Sequence, residues 1–131
     1  MSYYIATQVE GPFEKAVESV IEALAAEGFG ILTDIDVKAT MRKKLDIDYR
    51  NYRILGACNP PFAHRALEVE DKIGIMLPCN VVVQETNSGA IEIAAVDPMS
   101  SMQAVANPAL DEIANEVQQR LRRVIASLTT R

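Results

Sequence analysis

Apolar residues recur along this chain with two different periods, and each change of period marks a change of element. Tyr3, Tyr4, Ile5, Ala6, Thr7, Gln8 and Val9 form a run rich in aromatic and β-branched residues, which predicts a first strand. Gly11-Pro12 closes that run, and the preset dihedral of the proline suits the first position of a helix. Phe13, Val17, Val20, Ile21 and Leu24 then repeat at helical spacing as one buried stripe, and Gly28 stops it. Phe29, Ile31, Ile35 and Val37 share one parity while Asp34 and Asp36 share the other, the pattern of a strand with one wet face. Val37, Met41 and Leu45 are spaced four apart, predicting a short helix over residues 38–45 whose outer face carries Lys38, Arg42, Lys43 and Lys44.

Residues 49–58 predict another strand, with Tyr52, Ile54 and Cys58 on one side. Asn59-Pro60-Pro61 breaks it and opens a short helix to about Val69, with Asn59 as N-cap. Residues 81–86 and 90–96 read as a hairpin around Asn87-Ser88-Gly89, with Ile91 and Ile93 inward and Glu92 toward water. Residues 97–107 read as a loop. Asn107-Pro108 then caps a long final helix whose stripe is Leu110, Ile113, Val117, Leu121, Val124 and Leu128. Asp111 and Glu112 at its start, and Arg120, Arg122 and Arg123 toward its end, complement the helix dipole. The order predicts an α+β fold: a largely antiparallel sheet with two long helices packed on one face.

Composition narrows the class. The 131 residues are read as a single domain, 1–131, of a size that folds without disulfides or metals. Hydrophobic residues make up 49% and charged residues 24%, and the formal net charge is −5 at pH 7. That acidity argues against sequence-independent binding to nucleic acid or to anionic membranes. No apolar stretch has transmembrane length, and the first residues lack a basic segment followed by a long apolar one, so a cytoplasmic location is expected. In that compartment the two cysteines are expected as thiols or ligands rather than as a disulfide.

The candidate chemistry lies at two cysteine–asparagine corners, Cys58-Asn59-Pro60 and Pro78-Cys79-Asn80. Cys58 precedes a helix start, where the dipole favours a thiolate, although a small buried hydrophobe is the commoner role. Cys79 alternates with Val81 and Val83, which points it toward a core or a pocket wall. With the single histidine, His64, the two cysteines offer ligands for zinc, copper or iron, but the spacing is no known zinc pattern and His64 reads more simply as a partly exposed helix residue. The basic run 42–44, the pair Asp34 and Asp36, and the pair Met99 and Met102 read as solvated faces and packing rather than as ligand sites. No phosphate loop, dinucleotide fingerprint or nucleophile elbow is present.

Four stretches, Gly28-Phe29-Gly30-Ile31-Leu32-Thr33-Asp34-Ile35-Asp36, Tyr52-Arg53-Ile54-Leu55-Gly56-Ala57-Cys58-Asn59-Pro60, Leu77-Pro78-Cys79-Asn80-Val81-Val82-Val83 and Ala94-Ala95-Val96-Asp97-Pro98, resemble the family called domain of unknown function 302 over nearly the whole chain. The resemblance implies a curved antiparallel sheet of the TATA-binding-protein-like type in β-α-β-β-β-β-α order with short helices inserted, and a homodimer. It names no activity and no cofactor. The leading expectation is a small dimeric binding module that takes a small ligand, or a metal, near Cys58, Asn59, His64, Cys79 and Asn80. One rival is a cysteine-dependent redox or sulfur-handling enzyme, with Cys58 as nucleophile and His64 as acid or base. The other is a protein-interaction module in which both cysteines are structural.

Overall fold

The computed structural model describes residues 2–129. The chain runs β1 (Tyr4–Val9), α1 (Phe13–Ala26), β2 (Gly30–Asp36), α2 (Val37–Leu45), β3 (Tyr52–Cys58), α3 (Pro60–Val69), β4 (Cys79–Glu85), β5 (Ile91–Val96), α4 (Pro98–Ser101) and α5 (Asp111–Thr129). The strands form one sheet in the order β1-β5-β4-β3-β2, and each neighbouring pair is antiparallel. This is the α+β arrangement that the periodicity predicts.

Alternation sorts the residues of the central strands onto two faces. Leu55 and Ala57 of β3, Cys79, Val81 and Val83 of β4, and Ile91, Ile93 and Ala95 of β5 are buried. They meet Phe13, Val17, Val20 and Leu24 of α1 and Ile113, Val117, Leu121, Val124 and Leu128 of α5 in one core. Both long helices therefore cover the same face. The other face carries Tyr52, Asn80, Val82, Gln84 and Ala94, none of them buried, and the core contacts of α1 and α5 lie on the opposite side.

Several local expectations change. Pro12 stays extended at ψ 157° as the residue before α1, so Phe13 begins the helix. The parity of β2 breaks at Leu32: Ile31 pairs with Ala57, but Thr33 already pairs with Gly56, so Leu32 is an extra residue. Such a bulge exchanges the faces of everything after it. Asp34 and Asp36 thus share a face with Arg53, while Ile35 lies on the uncovered face at 48% exposure. The helix α2 forms as expected, but it lies outside the core and buries no residue.

The segment read as a loop contains α4 and a following helical turn over Gln103–Val105. Asp97 starts it by accepting from the Met99 amide at 3.0 Å, and it also accepts from Gln118 Nε2 at 2.9 Å. Asn107 caps a turn, Pro108–Leu110, that leads into α5. α5 continues to Thr129, so Arg120, Arg122 and Arg123 lie inside it rather than in its last turn. Two of those arginines tie α5 to the end of α1, as described below.

Candidate functional site

At the end of the sheet where β3 turns into α3 and β4 begins, the core leaves an apolar cavity of about 310 Å³. Phe29 and Leu32 stand on the β2 side, Phe62 and Ala66 come from α3, and Ile113 and Val117 come from α5. The local sequence explains the gap. Between the larger Phe62, Ile113 and Val117, four lining positions are small, namely Ala57 on β3, Ala63 and Ala66 on α3, and Ala114 on α5. The pocket is open to solvent on one side, where the exposed Leu32 and Leu67 form its rim. The bulge contributes too, because it turns the 66% exposed Leu32 to the cavity edge. No charged side chain lines it among the described residues.

Both cysteines are free thiols and both line this cavity. Cys79 is 8% exposed, and burial, with a smaller push from Cys58, raises its thiol to about 11. That keeps Cys79 protonated at neutral pH and makes it a poor nucleophile there. Cys58 is half-buried. The residue opposite Cys79 in the sheet is Ala57, so the two cysteines are not a facing cross-strand pair. Cys58 does precede a helix start, as the sequence predicts. However, Pro60 and Pro61 occupy the first two positions of α3 and lack amide hydrogens. Two donors that a helix start would present to an anion are therefore missing.

The second reading to change is that of Asn59. It stands at the N-cap position of α3, but its side chain makes no capping hydrogen bond. With prolines at the next two positions, fewer amides need a cap. Its Nδ2 instead donates to the Glu27 carbonyl oxygen at 3.2 Å, which Arg120 Nη1 also reaches at 3.0 Å. Glu27 follows α1, where Gly28 at φ +88° and Phe29 return amide hydrogen bonds to Ala25 and Leu24. That left-handed ending leaves the Glu27 carbonyl pointing outward for its two donors. Arg123 Nε holds the Glu27 carboxylate at 3.0 Å. Arg120 completes the corner by lying 5.2 Å from the Phe62 ring centroid. Its buried Nε lies 3.5 Å from the Glu116 carboxylate and forms no hydrogen bond.

The five sequence-predicted site residues separate in space. Cys58, Asn59 and Cys79 border the cavity. His64 does not: it is exposed on α3 and lies 3.1 Å from Glu68, one turn on. Its position follows from helical spacing, since Asn59, Phe62, Ala63, Ala66 and Leu67 occupy the cavity side of the segment. Asn80 lies on the uncovered face of the sheet, because it neighbours Cys79 in a strand and so points the other way. Among the described residues no three His, Cys, Asp or Glu side chains gather closely enough to hold a metal ion.

Several of the remaining charged candidates have partners within the fold. Arg53 grips Asp34 with two hydrogen bonds, the Nε one at 2.8 Å, and so holds the Asp34 carboxyl below its ordinary range. Asp36 caps α2 through the Ala39 amide at 3.0 Å. Arg42 reaches Asp46 and Asp48, and Lys38 donates to the Tyr49 carbonyl. Sequence reasoning missed Phe62, Ala66, Ala114 and Met102 as cavity residues. The signal available for them was the run of alanines on α3 and α5, which reads equally well as close packing.

A five-stranded antiparallel sheet, two long helices on one of its faces and a half-open apolar pocket at one end define an α+β domain. The chain belongs to the family described as domain of unknown function DUF302, whose model matches residues 5–128. It is similar to an uncharacterized conserved DUF302 protein from Bacillus stearothermophilus, known from a crystal structure. The two share 29% identity and a TM-score of 0.90 over 98% of this chain and 99% of that one. No curated protein matches the chain. No helix among the described residues is long and apolar enough to cross a membrane.

Proposed function

We propose that this chain is a binding module whose cavity takes a small, mostly apolar molecule, and that it works as a homodimer. The observation that carries the reading is the cavity itself, about 310 Å³ without a charged lining residue. That volume is at the small end of ligand sites, which are mainly apolar with a few placed polar groups. Cys58 and Cys79 serve in this reading as soft, polarisable wall groups rather than as reactants. The raised Cys79 thiol supports that role over a nucleophilic one. Self-association is supported by the uncovered sheet face, where Tyr4 is 44% exposed beside Val82 and Ala94.

The test uses toluene as a probe of the cavity. It should raise the melting temperature and shift NMR signals of Phe29, Ala66 and Val117 at saturable concentration. Ala114→Phe, which fills the space from α5, should abolish the shifts. Wild-type protein whose signals at these residues do not respond would sink the cavity reading.

A further inference from the structure

We infer that a second copy packs on the sheet face that carries Val82, about a two-fold axis running along β4. The small end of one apolar row then receives the large end of the same row in the other copy. This rests on the proposed homodimer and gives it a geometry. The pairing registers align Ala6 of β1, Ala94 of β5, Val82 of β4, Ile54 of β3 and Ile35 of β2 in one row across the five strands. None of the five is buried, and Ile35 is 48% exposed. The bulge at Leu32 completes the row, because it turns Ile35 onto this face. An apolar row that crosses a whole sheet and stays accessible marks a surface for a partner.

The row is graded in size, with alanines toward the β1 edge, isoleucines toward the β2 edge and Val82 on the central strand. In a closed pair of identical subunits one patch meets itself, residue i against j and j against i. An axis along the row would set Ala6 on Ala6 and Ile35 on Ile35, leaving a gap at one end and crowding at the other. An axis along β4 reverses the row, so that Ala6 meets Ile35, Ala94 meets Ile54 and Val82 meets Val82. That axis fills both ends to an even depth. Charge agrees with it. The adjoining row holds Glu92, Gln84 and Tyr52, and Arg50 lies 5.3 Å from the Tyr52 ring centroid. Arg50 Nε donates to Gln84 Oε1 and Gln84 Nε2 donates to Glu92 Oε1, both at 3.0 Å. Among the described residues each of these charges thus meets an amide rather than an opposite charge. Reversal about β4 carries the β5 side of one copy over the β3 side of the other, which brings Glu92 and Arg50 together twice.

Crosslinking separates the two axes. In a background of Cys58→Ala and Cys79→Ala, a short bismaleimide should join Ala6→Cys protein to Ile35→Cys protein when the two are mixed. Ala6→Cys protein alone should not react with itself, because four strand spacings, about 19 Å, separate the two positions along the sheet. With both native cysteines kept, Glu92→Arg should weaken self-association about tenfold in sedimentation, and adding Arg50→Glu should restore it. Self-crosslinking of Ala6→Cys, or a dimer in which the mixed pair does not react, would overturn the axis while leaving the homodimer intact. A Glu92→Arg dimer of unchanged strength would do the same. A wild type that sediments as a monomer would remove both.

Discussion

At the scale of single residues, the position of Cys79 has a measurable consequence. The unfolded chain gives up this proton near the ordinary value of 9.0, whereas burial holds it in the folded protein to about 11. Between those values the folded state binds more protons than the unfolded one, so stability must fall as pH rises. The full two-unit difference corresponds to about 2–3 kcal/mol, and none of it is lost below the unfolded value. Urea titrations across that range should show this alkaline slope in the wild type and a shallower one in Cys79→Ala. Equal slopes would mean that another group titrates. Asp34 works in the opposite sense: its carboxyl is held low mainly by the Arg53 hydrogen bond, so its contribution is present above the ordinary 3.8 and is lost as acid protonates it.

At the scale of elements, β3 is the piece on which the site depends. It pairs with β2 and β4, ends at Cys58 and delivers the chain directly into α3. Gly56 shows how tightly it is placed. A Cβ there would collide with Thr33 Oγ1 across the β2 pairing and would lie 2.7 Å from Pro78 Cγ on the other side. Gly56→Ala should therefore destabilise the protein by about 1–3 kcal/mol, the usual effect of overpacking, measured as a lower denaturation midpoint. A loss below about 0.5 kcal/mol, ordinary for a surface change, would show that Thr33 and Pro78 move aside freely. The corner where α1, α3 and α5 meet is likewise held by one acceptor, the Glu27 carbonyl, shared by Asn59 and Arg120. Helix packing at this end of the sheet thus depends on a few shared atoms.

At the scale of the whole molecule, the two faces of the sheet differ. One is packed by α1 and α5 and borders the half-open pocket, whereas the other presents Tyr4, Tyr52, Val82 and Ala94. If that face joins two copies, sedimentation of the wild type should give a dimer, and Val82→Lys should give a monomer that still binds toluene. A charge buried at the centre of an interface lacks a partner, so its effect there is large. A wild type that sediments as a monomer at all accessible concentrations would remove the homodimer from the proposal and leave the cavity untouched.

Periodicity along the sequence was enough to determine the strands, the two long helices and their shared face. Those features follow from which side of each element is apolar, as with Ile91 and Ile93 in β5 or the stripe of α5. The start of α3 at Pro60-Pro61 was legible for the same reason, since proline acts locally, but the capping role expected of Asn59 was not fulfilled. The bulge at Leu32 was not legible, because an extra residue shows only when two strands are paired. Nor was the separation of His64 and Asn80 from the cysteines, which depends on where helix rotation and strand alternation meet the neighbouring elements. The void was hidden for a related reason: small side chains on α3 and α5 mean close packing or a cavity according to the distance between elements. Only the tertiary structure sets that distance, and with it the Glu27 carbonyl that draws the Asn59 amide away from capping α3.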